Sequence, residues 1–192
     1  EDLAIYRTLP NMTVMHPCDD ISTERLTVQL SSLSGPSYMR TARNKRARIH
    51  DDESVAALRI GKGHVLREGS DVALLACGVL VGEAMTAAEE LSSDGIEVTV
   101  VDMHTIKPLD QNYLEYAYRQ FKLIVILEEH GLVGGAGSAI LEWAHMNKKD
   151  NRKFLLRHTP DQFLTAIGNQ TQARLTLKLD AESISKSILE QI

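Results

Sequence analysis

Cysteine is scarce in this 192-residue sequence: Cys18 and Cys77 lie far apart and no CxxC is present. That excludes a disulfide scaffold and a structural zinc site of the usual ligand spacing, and a reducing cytoplasmic compartment suits such thiols. No apolar run approaches the roughly 18 residues of a membrane span, and no signal-peptide pattern opens the chain. Neither a membrane nor export is expected. An excess of positive charge is missing too, since 21 Lys and Arg stand against 26 Asp and Glu for a net charge of -5. The longest basic cluster, Arg40 to Arg48, is short, so nucleic acid is excluded as a partner. Internal repeats and low-complexity tracts are absent. The seven histidines are scattered without ligand spacing, and no metal site is expected from them. Ser138 stands in GAGSA rather than GxSxG, which leaves a hydrolase nucleophile elbow without support.

What is present points to an α/β fold. With 43% hydrophobic residues the chain is long enough to bury roughly 70% of its unfolded surface. The stretch Ile96 to Asp110 opens on Val98, Thr99, Val100 and Val101, a β-branched run suited to an interior parallel strand. It ends at Pro108-Leu109-Asp110, where Asp110 can cap a helix. Around it, strand and helix patterns alternate. Val72 to Ala76 is an apolar strand run, and Leu80, Ala84, Ala87, Ala88 and Leu91 share one helical face. Leu114, Ala117 and Phe121 share another, and Leu123 to Leu127 is a further buried strand run. A glycine turn at 131–137 leads into a helix with Ile140 and Trp143, Phe154 to Leu156 is a last strand, and Asp180 caps a last helix. Repeated βα units imply a three-layer α/β/α unit around a mainly parallel sheet with right-handed crossovers.

The first part of the chain is different. Residues 1–9 read as a helix interior rather than a start. They are followed by a strand at 12–15, an aspartate-capped helix over 21–33 and a strand at 37–42. These are too few elements for a sheet with its own core, so they are expected to be the tail of a second α/β domain. The organisation expected is therefore that tail over 1–45, a connector over 46–68 and the main unit over 69–192.

Several residues could carry chemistry, each beside a plainer role. The GLVGGAG turn either holds a phosphate on backbone N–H groups at a helix start or serves close backbone packing. Glu128, Glu129 and His130 sit at a strand's carboxyl end, where open α/β sheets place ligands and where solvent also requires charge. Arg40 and Arg43 follow a strand, and a guanidinium fork suits a phosphate dianion as well as it suits water.

The segments EDLAIYRTLPNMTVMHPCDD (1–20), GSDVALLACG (69–78), VVDMHTIKPLD (100–110) and EEHGLVGGAGSAI (128–140) together resemble the C-terminal part of transketolases, within the thiamine-diphosphate superfamily. MHTIKPLD most resembles transketolases encoded in split N- and C-terminal sections. 1-Deoxy-D-xylulose-5-phosphate synthase and the β subunits of 2-oxoacid dehydrogenases are similar more weakly. The resemblance implies that 1–45 is the end of a pyrimidine-binding domain and 69–192 the transketolase C-terminal domain. It also implies that the catalytic, thiamine diphosphate and Mg2+ residues lie upstream of Glu1, so no cofactor or metal is expected on this chain alone. Arg43 in PSYMRTARNK matches the arginine that holds the sugar phosphate, and Arg40 a position that is basic only in some relatives. The implied partners are an N-terminal transketolase section, a second copy in a dimer, and sugar phosphates. Two alternatives remain: a fragment of one of the two weaker relatives, or a stand-alone α/β binding module.

Overall fold

The computed structural model describes residues 1–43, 47–165 and 167–192. The main sheet has five strands in the order β3-β5-β4-β7-β8: β3 (His64–Arg67), β4 (Val72–Cys77), β5 (Val98–Asp102), β7 (Leu123–Gly131) and β8 (Phe154–Thr159). The β5-β4, β4-β7 and β7-β8 ladders are parallel, and β3 alone runs antiparallel at the edge. Every residue of β4 and β5 is buried, as apolar strands flanked on both faces must be.

Helices cover both faces. One face carries Leu74, Val100 and Val125 against Ala84, Ala88 and Leu91 of α4 (Val81–Ser93) and Ile184 and Ile188 of α8 (Ala181–Leu189). The other carries Leu75, Val101 and Ile126 against Leu114 of α5 (Gln111–Gln120) and Ile140 and Trp143 of α6 (Ala136–Met146). Asp110 caps α5 by accepting the Tyr113 N–H at 3.1 Å, and Asp180 caps α8 likewise from Ser183.

The N-terminal elements are α1 (Asp2–Arg7), β1 (Thr13–Met15), α2 (Asp20–Leu30) and β2 (Ser37–Met39). β1 and β2 pair in parallel, and the main unit lends a third strand, β6 (Thr105–Lys107), antiparallel to β1. Leu3 and Val14 are buried in the same core as Leu75 and Val101. A sheet that two strands could not sustain is thus completed across the chain.

The span read as a connector holds more structure than its composition suggests. It contains α3 (Asp52–Ala57), capped by Asp51, and β3, which pairs His64 with Asp102 and Val65 with Val101. β3 is only four residues long and half-buried throughout, so neither a long apolar run nor clear alternation betrays it. A helix α7 (Gln170–Leu177) also follows β8, without an apolar face strong enough to announce it.

Candidate functional site

The carboxyl ends of β1, β2, β4 and β7 converge, and there the chain forms a cleft of about 180 Å3 lined by His16, Arg40, Arg43, Val79, Glu129 and Gln170. Each residue is placed by an element end. His16 follows β1, with its backbone N–H donated to the His104 carbonyl at 2.8 Å. Its ring lies over Gly78, which turns left-handed at φ +63° after β4; any Cβ at 78 would overlap the imidazole. Burial, helped by the nearby Arg40, lowers the His16 pKa to about 3, so it stands in the cleft as a neutral imidazole.

The two arginines differ in what surrounds them. Arg40 Nε donates to Asp2 Oδ2 at 2.8 Å, Nη2 binds the other Asp2 oxygen, and Nη1 donates to the Glu129 carbonyl at 3.1 Å. These bonds to the Arg40 guanidinium hold the Asp2 carboxyl well below the usual carboxylate range. Arg40 therefore ties β2 to α1 and β7, with most of its donors committed. Arg43 is exposed and, among the described residues lining the cleft, is the cation presented to solvent.

The acidic strand exit turns inward, against the reading of charges held out to solvent. Glu128 is 1% exposed, and its two oxygens accept the N–H groups of Ala136 and Gly137 at 2.7 and 2.8 Å. Those are the free donors at the start of α6, so a carboxylate of the chain itself fills the place where a phosphate would sit. The phosphate reading of the 131–137 turn is corrected accordingly: Gly135 is required because a Cβ there would overlap the Glu128 carboxylate. Burial pushes the Glu128 pKa up to about 7, against the opposing pull of the two N–H bonds. Glu129 accepts from Gln170 Nε2 at 2.7 Å and from Arg174 Nη2 at 3.0 Å, while Arg174 also reaches Glu83 at 2.9 Å. His130 is buried and bonds through Nδ1 to the Gly131 carbonyl.

A second polar group lies deeper. His50 Nε2 is 3.0 Å from Asp102 Oδ2, and Cys18 Sγ is 3.7 Å from the same oxygen. All three side chains are buried. Burial raises the Cys18 thiol pKa, with Asp102 adding to the shift. Sequence spacing could not find this group, whose members come from segments separated by tens of residues; of the cleft it picked out Arg40, Arg43 and Glu129, but not that they meet or that His16 and Gln170 join them.

Thiamine diphosphate, which the sequence resemblance implies for complete relatives, would find no phosphate cradle at the glycine turn, because Glu128 takes the N–H donors there.

Residues 61–168 match the family model described as transketolase, C-terminal domain. A transketolase C-terminal section of Methanocaldococcus jannaschii is 36% identical over the whole chain, which spans 59% of that relative's length. A 1-deoxy-D-xylulose-5-phosphate synthase of Geobacter metallireducens is 36% identical over 97% of the chain and 30% of its own length. Among solved structures, a split-gene transketolase determined as an inactive β4 tetramer superposes with a TM-score of 0.89 at 29% identity, over the whole of this chain and 61% of that one. A Pichia stipitis transketolase variant shares the fold, with a TM-score of 0.69 at 16% identity over 98% of this chain and 26% of its own.

Proposed function

The chain belongs to the transketolase C-terminal domain family, and from that premise we propose that it serves a transketolase by orienting a sugar phosphate, with Arg43 as the phosphate ligand. The observation that carries this reading is the placement of Arg43 in a cleft at the convergent strand ends, beside a neutral His16 and an Arg40 already bonded to Asp2. A guanidinium there can take two phosphate oxygens, while Arg40 fixes the strand end that carries it. In the complete enzyme, thiamine diphosphate and Mg2+ would supply the chemistry of two-carbon ketol transfer, held by the N-terminal transketolase section. The partners in this reading are an N-terminal transketolase section and a second copy of the assembly, in the cytoplasm. What this chain contributes is orientation of the substrate rather than bond making.

Arg43→Ala in the complete assembly is expected to raise KM for phosphorylated sugars by about 10- to 100-fold, the loss of one or two charge-assisted hydrogen bonds, while sparing non-phosphorylated donors. Equal losses on both substrate types would overturn the assignment. The likeness to 1-deoxy-D-xylulose-5-phosphate synthases supports a second reading, because it matches the transketolase section in identity. Product analysis with pyruvate against xylulose 5-phosphate as donor separates the two.

A further inference from the structure

We propose that Cys18, His50 and Asp102 form a buried binding site for a divalent metal ion of the zinc class. One ligand atom from each of the three lies within 4.8 Å of the other two. Tetrahedral zinc, with Zn–S of about 2.3 Å and Zn–N or Zn–O of about 2.0 Å, sets its ligand atoms about 3.3–3.5 Å apart. The separations of 3.0 Å from His50 Nε2 and 3.7 Å from Cys18 Sγ to Asp102 Oδ2 bracket that spacing. Those two edges need expansion and contraction, respectively, by a few tenths of an ångström, and the third lies within 4.8 Å.

Charge and hydrogen bonding point the same way. Asp102 is fully buried, and among the described residues its ion-pair partner is His50, with no lysine or arginine. A thiolate, a carboxylate and a neutral imidazole carry two negative charges, which a divalent cation cancels. Asp102 Oδ1, the second oxygen of the same carboxylate, is also buried without a hydrogen-bond partner among the described residues, so it is free to turn toward an ion. The donor set of sulfur, nitrogen and oxygen suits zinc or cobalt rather than magnesium or calcium.

The surroundings hold these ligands in place. Asp19 Oδ2 accepts the N–H groups of Ile49 and His50, both at 2.9 Å, and fixes the loop that carries the imidazole. Cys18 precedes α2, His50 precedes α3 and Asp102 ends β5, so one ion would tie three separate segments. Binding releases the Cys18 thiol proton to solvent and moves the single ring proton of the neutral His50 from Nε2, where it faces Asp102, to Nδ1, with no change of oxidation state.

The test uses the complete natural protein that carries this chain, purified without chelator and then stripped. A cofactor site built on oxygen ligands also takes divalent ions, so total metal is not decisive. Co2+ alone is the probe, because thiolate-to-cobalt charge-transfer absorption arises only at a sulfur ligand. One equivalent of Co2+ should develop that band, and Zn2+ should abolish it by displacement. The band should vanish in Cys18→Ala, persist in Cys77→Ala, and require at least tenfold more Co2+ in Asp102→Asn. Should the variants misfold, X-ray absorption of the Zn2+-loaded wild-type protein, expected to show a sulfur ligand at about 2.3 Å, gives the same answer. A wild-type protein with no band and no sulfur at the zinc, or a band that survives Cys18→Ala, overturns the site.

Discussion

Replacing Glu128 by glutamine tests the buried carboxylate at the start of α6. Burial raises the Glu128 pKa from 4.5 to about 7 in the folded chain. Below pH 4.5 both folded and unfolded states carry the proton. As the pH rises toward 7 the unfolded chain releases it while the folded chain keeps it, so stability falls across that window and levels off above 7. A shift of about 2.5 pH units corresponds to roughly 3 kcal/mol. Glutamine resembles the protonated acid at every pH, since one oxygen still accepts an N–H. Urea unfolding of both proteins from pH 4.5 to 8 should therefore show their stability difference moving by about 3 kcal/mol in favour of Glu128→Gln as the pH rises. The two N–H donors and the helix dipole pull the other way. If they outweighed burial, the variant would instead lose ground with rising pH, and parallel profiles would mean no shift; either result refutes the reasoning.

Gly135→Ala adds a Cβ into the Glu128 carboxylate at a backbone conformation, φ -77°, that any residue adopts, so its cost is steric. A loss of about 1–3 kcal/mol in urea unfolding is expected, and a neutral effect would show that the carboxylate is not held where described. Arg174→Met leaves Glu83 and Glu129 facing each other without their shared cation; each is about one quarter exposed, and a loss of about 2–3 kcal/mol follows. Hydrogen exchange should locate the loosening in α7 and the end of β7, and uniform exchange would contradict that placement.

The main sheet was legible because buried parallel strands are nearly pure apolar runs, and Val72–Cys77 and Leu123–Leu127 have no other reading of comparable length. The helix starts at Asp110 and Asp180 were legible because capping is local: each side chain accepts an N–H three residues on. The short strands β3 and β6 were not, because HVLR and TIK are each at least half polar and form only where another strand awaits them. Glu128 misled for a related reason. A glutamate at a strand exit reads as solvated, and only the three-dimensional return of α6 brings the donors that let it turn inward.

The N-terminal part cannot fix the cleft by itself, and this bears on what the main unit contributes. Lys107 Nζ donates to the carbonyls of Arg7 at 2.8 Å and Leu9 at 2.6 Å, and Arg7 in turn donates to Ser138 on α6 at 3.1 Å. β1 is completed by β6, and Arg40 is held by the Glu129 carbonyl on β7. Two residues, Thr41 and Ala42, separate Arg40 from the proposed phosphate ligand Arg43, so the strand end carrying that ligand takes its position from β7 and from Asp2 on α1. In the proposed role the main unit thereby sets where a substrate phosphate would rest, and disturbing β7 or α6 would reach the cleft through Arg40.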